Sequence, residues 1–343
     1  MKKIIAVIIS ASMFILMCGC SGAVEVNNRM FVQVLGIDKK DDLYEVYAKV
    51  YDSGDTQNQG VSSFTGKGKT LLSAIAAVES SQNRKIFLGH SKVIVLGQGI
   101  DNPSKELKAF LDGSVSPSCF VVYSEDIKKI TDKNLSDKWT SEYILSNMEN
   151  KYNHGELVYT TLADIISAKN AYFMPVIKVS DKKFDFSGIR IKNFQDNSVM
   201  LDSEQVLGVK ILKNDFSFDD SIMIPLTINS HTAGILITKI KTCTRTAQED
   251  GTLNYNVTIT LEADVKENIS DIPDNVINTA AQNYIQGVCY DAFDTCITKN
   301  QCDILNIRKL VTKYSGESID LYNNNVSEIL PNITVDAKIS SVL

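Results

Sequence analysis

Residues 253–265, LNYNVTITLEADV, and residues 273–297, PDNVINTAAQNYIQGVCYDAFDTCI, decide the fold class. The first reads as a long strand. Ile235 to Thr246 upstream reads as another, joined to it across the turn-forming cluster Glu249-Asp250-Gly251. In the second stretch apolar residues recur in pairs: Val276/Ile277, Ala280/Ala281, Tyr284/Ile285, Val288/Cys289, Ala292/Phe293 and Cys296/Ile297. Pairs at that spacing form one continuous stripe on a helix that begins at Pro273, and the stripe is expected to lie across the hairpin and bury it. The polar face of this helix carries Asp274, Asp291 and Asp294 and almost no basic residues, which argues against a helix lying on a membrane surface. Ile333, Val335, Ala337 and Ile339 then alternate in a closing strand.

The rest of the chain repeats this mixture of strands and helices. Met30 to Ile37 reads as a strand, and Asp38 to Asp42 as a polar turn. Tyr44, Val46, Ala48 and Val50 alternate with Glu45, Tyr47, Lys49 and Tyr51, which completes a hairpin. Asp52 to Ser63 reads as a polar loop. Thr70 can cap a helix bearing Leu71, Ile75 and Val78 on one face. Arg84 to Gly97 is a long β-rich run, Ser104 to Leu111 a short helix and Cys119 to Tyr123 a strand. Helical spacing returns at Trp139, Tyr143, Ile144 and Met148 and again at Leu162, Ile165 and Ile166. Strand character reopens at Phe173 to Ile177 and twice between Phe184 and Leu201, before a short helix at Ser203 to Leu212. The order is that of an α+β protein and not of a repeated doubly wound one. Three mixed α+β subdomains on antiparallel or mixed sheets are expected, at residues 20–123, 124–212 and 213–343, after a leader at 1–19.

The chain has 343 residues, a net charge of -6, 44% hydrophobic and 22% charged residues. That composition belongs to a folded globular protein and excludes disorder, collagen and a basic nucleic-acid binder. Lys2 and Lys3 precede an apolar run from Ile4 to Met17 that only Ser10 and Ser12 interrupt, the layout of an export signal. The run ends in Leu16-Met17-Cys18-Gly19-Cys20-Ser21-Gly22. Cys20, with small Gly19 before it and small residues after it, fits the acceptor of a diacylglyceryl group. Two acyl chains, each buried methylene contributing ~0.8 kcal/mol, would hold the protein on a membrane without a spanning helix. The expected location is therefore the outer face of a bacterial cell membrane.

Five cysteines follow the leader: Cys119, Cys243, Cys289, Cys296 and Cys302. The odd number leaves at least one thiol free, and the residues read best as small buried apolar groups. Catalytic and metal-binding patterns are missing. His90, His154 and His231 are scattered, and neither H-E-x-x-H nor G-x-S-x-G occurs. Gly66-Lys67-Gly68-Lys69-Thr70 has Ser63 where a phosphate-binding loop needs its first glycine, and reads instead as a flexible entry to the helix at Thr70. Asp219-Asp220 and Glu249-Asp250 read as solvated turns. No cofactor, metal site or enzyme activity is expected.

The most specific stretch is the helix from Thr70 followed by Asn83-Arg84-Lys85-Ile86-Phe87-Leu88-Gly89-His90-Ser91-Lys92-Val93-Ile94-Val95-Leu96-Gly97. It resembles the Ger(x)C family, the lipoprotein C subunits of bacterial spore germinant receptors. The opening strand Asn28 to Asp38, Met174-Pro175, the Gly188 to Gly208 strand pair and the C-terminal hairpin, helix and strand resemble that family in the same order. Many members carry Trp-Asp after the lipidated cysteine, where this chain has Ser21-Gly22. The resemblance implies a three-domain, non-enzymatic α+β receptor component on the outer face of the inner spore membrane. It implies partnership with membrane-embedded A and B subunits, and no nucleic acid. Arg84, Lys85, His90 and Lys92 form the densest cationic cluster of the family segment. Gly89 is expected to permit close packing and His90 to be a strand residue, while the exposed members are candidates for partner contact. A lipid-anchored solute-binding protein is the alternative, which predicts two matching Rossmann-like lobes.

Overall fold

The computed structural model describes residues 29–51, 61–131, 140–180, 183–195, 197–217, 219–314 and 318–341. The leader, Cys20 and Trp139 lie outside these described residues.

Strand β1 (Arg29–Lys40) turns at Asp41 and Asp42, whose φ angles of 50° and 61° suit a tight hairpin, into antiparallel β2 (Leu43–Tyr51). The polar stretch read as a loop up to Ser63 ends sooner, because β3 (Val61–Gly68) pairs antiparallel with the outer edge of β2. An edge strand with one solvated side has little apolar signal to betray it. Helix α1 (Leu71–Gln82) follows, with Thr70 and Ser73 closing a capping box and Leu71, Ala74, Ile75 and Val78 buried. Gly66 and Gly68 are not a flexible entry. A Cβ on Gly66 would lie 2.3 Å from the Ala74 carbonyl oxygen, so these glycines let α1 press directly onto β3.

The run Arg84 to Gly97 is not one strand but two. Both β4 (Lys85–Phe87) and β5 (Val93–Leu96) pair parallel with β1, at Arg29–Phe31 and Val34–Ile37 respectively. Between them the chain turns out and back. Helix α2 (Pro103–Glu106), with a 3-10 turn over Leu107–Phe110, leads to β6 (Phe120–Tyr123), parallel to β5. Helices α3 (Ile127–Thr131), α4 (Ser141–Asn153) and α5 (Leu162–Ser167) precede the meander β7 (Ala171–Ser180), β8 (Lys183–Asn193) and β9 (Ser198–Leu201).

These nine strands form one sheet in the order β3-β2-β1-β5-β6-β7-β8-β9, with β4 also on β1. The pair Tyr123 and Val176 alone joins β6 to β7, so the meander is attached at a narrow seam. The parallel centre is covered on both faces, which is why every residue of β5 is buried. Met30, Val32, Leu35 and Ile94 pack under α1, the 3-10 turn at Leu107–Phe110 and α5, while Val34, Val93 and Val95 pack under α3 and α4.

The second sheet is built from β10 (Met223–Ile228), β11 (His231–Glu249), β12 (Thr252–Asn268) and β13 (Leu330–Ser341), in that order. The hairpin turns at Asp250 and Gly251, with φ of 50° and 78°. Helix α6 (Ser203–Leu212) and helix α7 (Asp274–Phe293), which continues in π-helical turns over Asp294–Lys299, cover one face. The stripe on α7 is buried at Ile277, Ala281, Ile285, Val288, Cys289, Ala292 and Phe293, while Ala280 and Tyr284 are partly buried and Val276 is exposed, and the Phe293 ring stacks on Tyr255 at 5.4 Å. Helices α8 (Ile307–Tyr314) and α9 (Ile319–Asn324) carry the chain over to β13, which lies parallel to β12 through twelve pairs. A parallel neighbour needs such a crossover. One body has a parallel centre and the other an antiparallel one, so the two are not copies of a single lobe.

Cys119, Cys289, Cys296 and Cys302 are buried thiols, and Cys243 is exposed. Burial pushes the Cys119 thiol up to about 12 and raises the other three as well, so these are inert packing groups.

Candidate functional site

The family segment divides into a buried side and an exposed rim. On the buried side, Ser91 N–H closes the turn on the Leu88 carbonyl at 2.8 Å, and Ser91 Oγ donates to the Val32 carbonyl at 3.1 Å. Lys92 N–H donates to the Gln33 carbonyl at 2.9 Å. Thus the turn satisfies the β1 carbonyls that neither β4 nor β5 reaches. This is also where β1 bulges against β2, between Val32 and Val34. Arg84 reaches back to the Arg29 carbonyl at 2.9 Å, and Glu79 of α1 accepts from Ile86 N–H at 2.9 Å while pairing with Lys85 Nζ at 3.3 Å.

The rim is aromatic and cationic. His90 lies in the exposed turn rather than in a strand, because the strand breaks after Phe87. Its ring meets Phe31 at 5.6 Å and Phe87 at 5.3 Å, and Phe31 meets Phe87 edge-on at 5.6 Å. The Arg29 guanidinium sits 5.5 Å from the Phe87 ring. Gly89 keeps this cluster closed, since a Cβ there would come 2.9 Å from the tip of the Phe87 ring. Lys92 and His90 are exposed, and the Lys85 side chain is 66% exposed even with its Glu79 partner. Arg84, Lys85, Gly89 and His90 therefore lie beside the start of β1, while Lys92 is placed further along that strand, against Gln33 and the start of β6. Phe31 and Arg29 join them from the opening strand. Sequence reading missed these two, although the parallel pairing of β4 with β1 brings Arg29 opposite Lys85 and Phe31 opposite Phe87.

A second polar assembly also escaped the sequence. Lys210 of α6 is wholly buried, and its Nζ lies 3.2 Å from an Asp220 carboxylate oxygen and 2.9 Å from the Tyr152 carbonyl. The ammonium also faces the Tyr152 ring at 3.1 Å, and the Tyr152 hydroxyl donates to Asp215 at 2.9 Å. Asp220, read as part of a solvated turn, is instead the counterion of a buried lysine. Burial lowers the Lys210 pKa, and Asp220 opposes that shift. An aliphatic run containing one lysine, Val206 to Leu212, was the available signal. The assembly ties α4, α6 and the 215–221 segment together and is structural. Among the described residues, no three His, Cys, Asp or Glu side chains gather as a metal site, and no helix is long and apolar enough to cross a membrane.

Comparison with known proteins agrees with this architecture. Residues 22–179 match the model of the spore germination protein N-terminal domain, and residues 194–342 match that of the spore germination B3/GerAC-like C-terminal domain. No curated protein sequence matches. The fold is similar to the crystal structure of the GerBC protein, with a TM-score of 0.58 at 15% identity, over 89% of this chain and 96% of that one. The two halves of one family thus follow each other along nearly the whole sequence, on a fold shared with GerBC, and the chain belongs to the Ger(x)C family of spore germination proteins.

Proposed function

We propose that the chain is the C subunit of a nutrient-germinant receptor, held by acyl chains on Cys20 at the outer face of the membrane that encloses the spore core. It works without catalysis, by scaffolding or coupling membrane-embedded A and B subunits. The observation that supports this best is the division of the family segment: its buried side is spent on seating β1, and its rim leaves Lys85, His90 and Lys92 toward solvent. A purely structural motif has no need of that exposed cationic and aromatic edge. Confinement to a membrane layer would raise the effective concentration of weakly binding partners. The division into 20–123, 124–212 and 213–343 belongs to the same reading, with the first two as parts of the one body built on the nine-stranded sheet.

Deleting the gene and restoring it as wild type or as Cys20→Ala tests this. The wild-type gene should restore the nutrient response that deletion abolishes, and the Cys20→Ala protein should leave the membrane fraction and restore little. Deletion spores that respond normally to every nutrient would refute the assignment.

A further inference from the structure

A cleft of about 1030 Å³ lies where α5, the start of β7, the end of α6 and α8 converge. It therefore sits between the nine-stranded body and the four-stranded one. Five cations line it: Lys169, Lys213, Arg308, Lys309 and Lys313. Three carboxylates line it too, and each is engaged by donors of its own. Asp303 accepts from the backbone N–H of Ile307 and Arg308 at 2.8 and 3.0 Å and from the Tyr322 hydroxyl at 2.7 Å. Asp164 closes the cap of α5 on Thr161, accepting from its N–H at 2.9 Å and its hydroxyl at 2.7 Å. Asp215 holds the Tyr152 hydroxyl.

The cations are not matched in the same way. None of the five has a carboxylate within ion-pair distance among the described residues. Lys213 is half-buried at the wall, donates to the Ile304 carbonyl at 3.1 Å and faces the Phe173 ring at 5.2 Å, and burial lowers its pKa. Arg308 with Thr312, and Lys309 with Lys313, are each four residues apart, so α8 directs these side chains the same way along one side of the cleft. Five cations against three carboxylates leave the described lining with two positive charges in excess, in a chain whose net charge is -6, a local field opposed to the global one that concave walls focus.

We propose that this cleft binds a small organic polyanion, one bearing two or more carboxylate or phosphate groups, and that the bound anion clamps the two bodies together. The volume matches a small-molecule site, where pockets run to roughly 1,000 Å³. The alternative occupant is an acidic protein segment, which titration with a polyglutamate peptide sets against the small anions. The proposal goes beyond the receptor assignment and does not depend on it.

Calorimetric titration of the full-length protein in detergent micelles, at low salt, would use citrate and fructose 1,6-bisphosphate, with mannitol as the uncharged control. At least one anion should bind with a dissociation constant of about a millimolar or tighter. Binding should weaken about tenfold in K309Q/K313Q, the loss of two partly screened charge contacts, and stay unchanged in K338Q on the far strand β13. Lys309, Lys313 and Lys338 are all exposed, and unchanged melting of each variant would confirm that the fold is kept. Which anion binds separates carboxylate from phosphate chemistry. The proposal fails if neither anion binds, if the double variant binds as tightly as wild type, or if a polyglutamate peptide binds where both small anions do not.

Discussion

Both sheets place a parallel strand beside a long central one, but they do so in opposite ways. In the C-terminal body, β13 follows β12 through twelve uninterrupted pairs, and alternation of buried and exposed residues is all that the register requires. In the N-terminal body, β1 receives its parallel neighbour in two pieces, β4 and β5, with a turn between them that must supply a hydroxyl, an N–H and a residue without a side chain. Alternation can be met by many sequences, whereas the interrupted arrangement needs particular residues at particular places. This fits the family segment between residues 70 and 97 being the most specific stretch of the sequence, although family models match both bodies.

The largest expected effect lies at the junction of the two bodies. Asp220→Ala strands the Lys210 ammonium in a dry site, and should cost about 3–5 kcal/mol. Denaturant midpoints measure this, and a loss near zero would mean that water reaches Lys210. Next come the two glycines that seat helices on their neighbours, one in each body. A Cβ on Gly66 would meet the Ala74 carbonyl oxygen at 2.3 Å, and one on Gly208 the Val288 carbonyl oxygen at 2.2 Å. Alanine at either place should cost about 1–3 kcal/mol, because backbone has to move. Gly89→Ala should cost less than either, since the Phe87 ring can swing aside. Finding it as costly as Gly66→Ala would erase the distinction between seat and rim.

Ser91→Ala removes the hydroxyl that serves the Val32 carbonyl and should cost about 1 kcal/mol. The smallest effect concerns Glu45 of β2, which accepts from Lys67 Nζ and from the Tyr47 hydroxyl and lies 3.8 Å from Lys128 Nζ. The Lys67 hydrogen bond, then that of Tyr47, hold its carboxyl below the usual carboxylate range. Its contribution is therefore present at neutral pH, and is lost as pH falls below about 4 and through the lowered value. Melting temperatures of wild type and Glu45→Gln should converge over that acid range, and a constant difference would contradict the assignment.

Much of the architecture was legible before any coordinates. The hairpin, the paired stripe on α7 and the closing strand were written in periodicities of two and of three to four, and their burial follows the sequence pattern. Edge strand β3 and strand β10 were not legible, because short strands with one wet side carry little apolar signal. The break between Phe87 and Val93 was hidden for the opposite reason, a run so rich in β-formers that Gly89 and His90 looked like part of it. Of the candidate site, the cations were visible in sequence but the aromatic partner Phe31 was not, since only the parallel pairing of β4 with β1 brings it there. Asp220 could not be read from its neighbours, because its partner Lys210 lies across a helix boundary in an aliphatic run.

Under the proposed function, the rim of the family segment serves a partner while its buried side serves the fold. Spores carrying Lys85→Glu/Lys92→Glu in place of the wild-type chain test it, with protein level, melting temperature and nutrient-triggered germination followed together. The predicted result is a protein of normal abundance and near-normal melting temperature whose spores no longer respond to nutrient. Normal germination by spores that hold the charge-reversed protein at wild-type level would contradict it.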